Sequence, residues 1–165
     1  MAIGVAGLIA LATHRPILFA SLGPTSVMIA QQPLLASTKP YNAIAGHMIG
    51  LGAGFFAVWA LGIAQEPSVF VTHVVTGPRV CGVLLAIAVA MGLEILLKAQ
   101  HPPGAATTLL TALGSFRIGW TDTWEVLAGV LAVTLTGELL RQFHPAPPPP
   151  TARPARQPRH RRTGD

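Results

Sequence analysis

Long apolar runs separated by short polar breaks dominate the amino-acid sequence. A helix needs about 20 predominantly apolar residues to cross the hydrocarbon core of a bilayer. Three runs have this length, over residues 43–63, 80–98 and 124–143. Charged residues inside these runs are few and lie toward their ends, so each run predicts a transmembrane helix.

The N-terminal apolar run is shorter than the other three. Only the residues from Ala2 to Thr13 precede a polar break that contains Arg15. An arginine at the centre of a bilayer costs about 2.5–3.5 kcal/mol on insertion scales, so Arg15 should lie near an interface. We expect one crossing over residues 2–20, and we expect that part of its helix is missing from the given start of the chain.

Two further apolar segments are too short to cross a bilayer and too apolar for ordinary loops. As helices near residues 22–31 and 102–115 they would cover roughly 20 Å or less of a hydrocarbon core about 30 Å thick. Re-entrant half-helices are expected, because irregular backbone is tolerated at membrane depth where protein or a wet cavity shields it. Paired broken segments in the two halves suggest an internal repeat and a transporter-type site. Simple turns between hairpin helices explain the same prolines equally well.

The second of these segments begins with His-Pro-Pro at residues 101–103. Two prolines stop the preceding helix and suit the first positions of a new one, where their missing N–H groups would have no partner. We expect the N–H groups of Gly104 and Ala105 to be free at the positive end of this helix, an arrangement that binds anions. Thr107 adds a hydroxyl one turn later. The first segment echoes this pattern with a small, proline-bearing start at residues 21–27.

Composition supports a membrane protein and separates a polar tail from it. The chain is 51% hydrophobic and only 10% charged, whereas soluble domains carry about 25% charged residues. Five of the 11 Lys and Arg residues follow residue 150, behind a run of prolines. We therefore expect a transmembrane domain over residues 1–143 and a disordered, cytoplasmic Pro/Arg-rich tail over 144–165. No aromatic residues interleave with the arginines, so a topological anchor at the membrane surface is favoured over nucleic-acid binding.

Small residues recur at helical spacing in two of the predicted spans. They are Gly46, Gly50 and Gly54 in one span, and Gly82, Ala86 and Ala90 in the other. Such ridges let helix backbones pack closely, which is the interpretation that we favour over a glycine-lined path. His47 lies in the first turns of an uncharged span, where a functional and a structural histidine are equally good interpretations.

The remaining polar residues suggest pairing rather than catalysis. Glu94 with Lys98, and Glu138 with Arg141, have the spacing of ion pairs on one helix face. Neither the histidines nor Cys81 have metal-ligand spacing, and no phosphate-binding loop or hydrolase motif is present. We therefore expect neither an enzyme nor a bound metal or cofactor.

Three stretches together resemble a known family. They are His101-Pro102-Pro103-Gly104-Ala105-Ala106-Thr107, Ser21-Leu22-Gly23-Pro24-Thr25-Ser26-Val27 and Lys39-Pro40-Tyr41-Asn42-Ala43-Ile44-Ala45-Gly46-His47. In this order they are similar to the motifs of the HPP family of small integral membrane proteins, although Pro24 and Thr25 stand where that family usually has Ala and Ser. The resemblance implies four membrane-spanning helices and a transporter-like role, and members in plastids and cyanobacteria are associated with nitrite transport.

These observations together predict transport of a small inorganic anion, nitrite by the resemblance, through a site formed by the starts of the two half-helices. The candidate substrate-binding residues are His101, Pro102, Pro103, Gly104, Thr107, Gly23, Thr25, Ser26, Asn42 and His47. The alternative is a membrane scaffold or assembly protein that transports nothing. We expect an integral protein of the bacterial inner membrane whose partners are lipid and a small anion but not nucleic acid, and we leave open a homo-oligomer.

Overall fold

The computed structural model describes residues 2–143, which form seven α-helices, one short 3₁₀ turn and no strand. The helices are α1 Ala2–Thr13, α2 Leu22–Gln31, α3 Pro40–Ala60, α4 Val69–Thr72, α5 Gly77–Leu96, α6 Pro102–Ala112 and α7 Trp120–Phe143, with the 3₁₀ turn at Ala36–Thr38. The prediction of an all-α fold is thus confirmed for these residues. The predicted disordered tail over 144–165 lies outside them.

Three of these helices are long and apolar enough to cross a membrane, namely α3, α5 and α7. Each begins about one turn before the predicted start, and for α3 and α5 a proline or a capping hydroxyl explains the earlier start. Pro40 opens α3, and the hydroxyl of Thr76 accepts the N–H of Arg79 at the start of α5. The structure therefore supports three of the four predicted crossings.

The predicted single helix over residues 2–20 does not form. Helix α1 ends at Thr13, after which His14 adopts a left-handed backbone with φ of 52° and Pro16 follows. A left-handed residue ends an α-helix and a proline cannot continue it. With 12 residues, α1 is too short to qualify as a span, so the four-crossing topology stays a prediction.

Helices α2 and α6 are the two predicted half-helices, and their re-entrant placement in a membrane stays a prediction. Each packs mainly against the long helix of the other half of the chain. Helix α6 lies along α3, and α2 lies against α7. A Cβ atom at Gly50 would lie 2.5 Å from the carbonyl oxygen of Gly104, and one at Gly137 would lie 2.5 Å from the Cγ2 of Ile29. Cβ atoms at Gly46 and Gly54 would likewise overlap the side chains of His101 and Thr111. The ridge at 46, 50 and 54 is thus confirmed as a close helix-packing surface.

Helix α3 is central and α5 is peripheral. Half of the apolar window of α3 is buried within the protein, against 22% of that of α5. The buried face of α5 includes Gly82, Ala86 and Ala90, which confirms the second predicted packing ridge. Its other face exposes large apolar side chains such as Leu84 and Ile95, as a lipid-facing helix does.

One of the two predicted ion pairs forms. Arg141 lies 2.6 Å from Glu138, which confirms that pair. Within residues 2–143 no ion pair joins Glu94 to Lys98, because Lys98 has left the helix with φ of 52°. The carboxylate of Glu94 instead lies beside the start of α6, where a Cβ at Gly104 would be 3.0 Å from its Oε1.

Candidate functional site

The starts of the two half-helices meet at one face of α3. The polar side chains that converge there are Ser21 and Thr25 from α2 and the residue before it, His47 from α3, and His101 and Thr107 from the start of α6. Each of the five is at most 1% exposed. The sequence stretches that carry the family resemblance are therefore the ones that the fold brings together.

His47 connects the two half-helices through both of its ring nitrogens. Its Nδ1 lies 2.6 Å from the hydroxyl of Thr107, and its Nε2 lies 2.8 Å from the hydroxyl of Thr25. The Thr107 hydroxyl is in turn 2.7 Å from that of Ser21. A buried imidazole bonded on both sides in this way holds α2, α3 and α6 in a fixed register.

His101 extends the same network in the other direction. Its Nε2 lies 3.2 Å from the Thr25 hydroxyl, which therefore contacts both histidines, and the two ring centroids are 5.0 Å apart. Its Nδ1 lies 2.7 Å from the carbonyl oxygen of Ser37. A carbonyl oxygen only accepts hydrogen bonds, so the Nδ1 of His101 carries a proton.

The hydroxyl of Thr25 has one hydrogen and three acceptor positions around it. It donates either to the Ser21 carbonyl, at 3.0 Å, or to one of the two Nε2 atoms. If it donates to His101, every member can be satisfied with both histidines neutral and the Nε2 of His47 donating to Thr25. If the Thr25 hydroxyl donates to Ser21 instead, its oxygen presents a lone pair to the Nε2 of His101. That nitrogen can then form a hydrogen bond only after it takes up a proton. The network therefore has a place for one additional proton.

Backbone donors at the start of α6 are fewer than the sequence suggests. Pro102 and Pro103 have no N–H, and the N–H of Gly104 donates to the His101 carbonyl at 2.7 Å. The expectation that the Gly104 N–H is free is therefore wrong, because a tight first turn satisfies it. The Glu94 carboxylate also lies beside this turn and compensates the positive helix end.

The other predicted site residues surround the network without joining it. Ser26 faces away, and its buried hydroxyl lines a cavity of about 360 Å³ between α2 and α7 and has no bonding partner within residues 2–143. Asn42 donates to the Gln100 carbonyl at 3.2 Å and so fixes the chain just before His101. Pro103 is buried, whereas Pro102 is exposed and Gly23 is half-buried. Thr25, His47, His101 and Thr107 are thus the predicted residues that bond to one another.

Two contributors to the network were not selected from the sequence. Ser21 stands in the stretch that was recognised, but a serine before a half-helix is ordinarily only a helix cap. The Ser37 carbonyl is a backbone group, for which a sequence contains no signal. A buried arginine, Arg79, was also passed over, because an arginine just before an apolar run is typical of an interfacial anchor.

The chain belongs to the HPP family. The family model, described as HPP, transmembrane region, matches residues 1–149. No match to a curated protein or to a solved structure was found. With its membrane-length helices, this membership identifies an integral membrane protein.

Proposed function

We propose that the protein transports a small inorganic anion, with nitrite as the first candidate, and that it has no catalytic role. The observation that carries this proposal is the buried network of two histidines and three hydroxyls, which joins both half-helices to α3. Buried polar groups are costly among apolar helices, and ionisable groups at membrane depth generally mark a substrate or proton path.

The substrate would be held by side chains rather than by free backbone N–H groups. The hydroxyls of Thr25 and Thr107 and the N–H groups of His47 and His101 are hydrogen-bond donors of the kind that bind an anion. In the described arrangement these groups bond to one another and are closed to water. Transport therefore requires the two half-helices to separate, so that these donors can bond to the anion instead of to their present partners.

The extra proton position gives a reason for anion and proton to enter together. A protonated His101 would be a buried charge, which is unfavourable without a partner of opposite sign. An anion beside its ring supplies that partner, and the proton in turn neutralises the anion. We therefore propose that nitrite and one proton bind as a pair, with His101 as the proton acceptor.

Nitrite uptake into proteoliposomes tests this function. The assay runs at neutral pH with an inward proton gradient, because the proposed site takes up a proton with the anion, and uptake into protein-free liposomes is subtracted because nitrous acid crosses lipid unaided. Parent protein should take up nitrite faster than empty vesicles, and His101→Ala should reduce that uptake at least tenfold. Tyr41→Phe is the comparison variant, since it removes an exposed hydrogen bond to the Leu97 carbonyl outside the network.

Two outcomes would count against the proposal. Parent vesicles that match empty ones for nitrite and for other small inorganic anions would contradict transport and favour a scaffold role, for which the exposed apolar face of α5 would be the binding surface. Parent uptake that survives unchanged in His101→Ala would leave transport standing but would remove the site from the histidine network.

A further inference from the structure

A second polar centre lies at the other end of α6. The side chain of Arg79, in the first turn of α5, is only 3% exposed. Its Nη1 donates to the Ala112 carbonyl at 2.9 Å, and its Nη2 donates to the Glu66 carbonyl. The Nε–H is buried and has no hydrogen-bond partner within residues 2–143. An unpaired buried donor of a charged group is costly, so an additional acceptor is to be expected there.

A cavity of about 770 Å³ adjoins this guanidinium. A second arginine, Arg117, lines the same cavity with an exposed side chain, and within the described residues its guanidinium makes no hydrogen bond. The wall also contains the polar residues Gln65, Ser68 and Ser115. Its acidic member, Glu66, accepts a hydrogen bond from Thr76 at 3.3 Å. The lining residues, with two arginines and one glutamate, carry a net positive charge, and the Asp122 carboxylate, outside the lining, accepts the backbone N–H of Arg117 at 2.7 Å.

The backbone around Arg79 is shaped to admit its guanidinium. Gly114 follows α6 with φ of 92°, a conformation that disfavours side chains, and a Cβ there would lie 2.8 Å from the Nη2 of Arg79. The two carbonyls that accept from Arg79 come from the loop after α3 and from the end of α6. Two separate parts of the chain, the loop after α3 and the end of α6, therefore fix one edge of the guanidinium and leave its Nε–H without a partner within the described residues.

A purely structural role explains only part of this arrangement. Arg79 lies at the carbonyl end of α6, where a positive charge interacts favourably with the helix dipole. That role accounts for the two Nη bonds. It does not account for the unpaired Nε–H, the second arginine or the cavity between them.

We propose that this cavity binds a small oxoanion, held by the guanidinium of Arg117 and by the Nε–H of Arg79, which is closed to water in the described arrangement and opens to the cavity when the anion binds. Guanidinium groups pair well with planar or tetrahedral oxoanions, because adjacent N–H groups match their oxygen spacing. The oxoanion is either a free inorganic ion or the phosphate of an anionic lipid, since Phe70, Val71 and Ile118 add exposed apolar surface at the wall. The site stands independently of the proposed transport, because binding requires no flux.

Binding to purified full-length protein tests this site. In one experiment, nitrite, nitrate and phosphate are titrated calorimetrically into delipidated protein in a neutral detergent at constant ionic strength. In the other, native mass spectrometry measures retention of phosphatidylglycerol against phosphatidylcholine. Arg79→Gln and Arg117→Gln should each weaken binding of the retained oxoanion at least tenfold. Arg15→Gln is the matched control, because it removes the same charge from an exposed arginine elsewhere.

Arg117→Gln keeps the test decisive if Arg79→Gln fails to fold, because the Arg117 side chain carries no structural bond among the described residues. Inorganic anion binding lost in the variants identifies a free ion, and selective phosphatidylglycerol retention lost in the variants identifies a lipid phosphate. Either result supports the site. The proposal is overturned if the parent protein binds neither class of oxoanion. It is also overturned if Arg117→Gln binds the oxoanion as tightly as the Arg15→Gln control. Parent protein that binds oxoanions but takes up no nitrite would contradict the transport proposal and leave this site standing.

Discussion

Buried polar groups are paired differently at the two ends of α6. At the His101 end, five side chains bond to one another and exclude water. At the Arg79 end, one N–H is left over beside an open cavity. A self-satisfied network must break its own hydrogen bonds before it admits a ligand, whereas the unpaired donor beside the cavity has no hydrogen bond to break within the described residues. If the two proposals hold, the His101 end serves a passage that must open and the Arg79 end serves a binding site.

The same helix α5 supplies a charge near each end of α6. Glu94 lies beside the start of α6, and Arg79 binds the carbonyl at its end. Each charge is opposite in sign to the helix end that it faces, which is the favourable arrangement for the helix dipole. This compensation allows an 11-residue half-helix to remain buried, and it makes α6 the element on which both ends depend.

The largest expected effect comes from separating α6 from α3. Leucine at Gly50 would place its Cβ 2.5 Å from the Gly104 carbonyl oxygen and 2.7 Å from the Thr108 hydroxyl. We expect a loss of about 3 kcal/mol or more, seen as lost folding yield in detergent, together with loss of both nitrite uptake and anion binding. Gly52→Leu is the control, because nothing lies within 4 Å of its added Cβ. Equal stability of the two variants would show that α6 is not held by the Gly50 contact.

A smaller change should disturb the Arg79 end alone. Gly114→Ala forces a side chain into a backbone with φ of 92° and places its Cβ 2.8 Å from the Arg79 Nη2. We expect about 1–3 kcal/mol of destabilisation and weaker anion binding, with nitrite uptake less affected. Gly62→Ala is the matched control, since it has φ of 64° but no atom within 4 Å. If both variants bind anions equally well, Gly114 does not position Arg79.

A change at the other end should leave the Arg79 cavity intact. Thr25→Val keeps the shape of the side chain and removes the hydroxyl that contacts both histidines. We expect a loss of about 1–2 kcal/mol in thermal unfolding in detergent, because two ring nitrogens lose a buried partner. Nitrite uptake should fall sharply while phosphate titration stays at the parental level. A variant with parental uptake would show that the two histidines do not act through Thr25.

The smallest effect is expected away from both ends. Glu138→Gln removes the partly exposed ion pair with Arg141, while the bond from Arg141 to the Pro33 carbonyl remains. Exposed and partly exposed pairs of this kind contribute about 0–1 kcal/mol. Uptake and anion binding should both match the parent. A loss of either function would mean that the packing of α2 on α7 also controls the site.

Much of the fold follows from local pattern. The run around Ala43 and the prolines at 102 and 103 were sufficient to predict α3 and the start of α6, because a span and a helix break each depend on a few consecutive residues. The bounds of α2 were predicted as 22–31 and observed as Leu22–Gln31. The N-terminal helix was predicted too long, since whether a helix passes Thr13 depends on the left-handed backbone at His14.

The candidate site, like the fold, was predictable from the sequence only in part. The sequence determined which residue types gather at the half-helix starts, because the motifs place Thr25, His47, His101 and Thr107 at helix positions that face inward. Only the tertiary structure decided that these side chains bond to one another, and that Arg79 is buried with one N–H left over. Both outcomes depend on contacts between residues far apart in the chain. Pairing of a buried donor is a property of the packed arrangement, which no local stretch of sequence specifies.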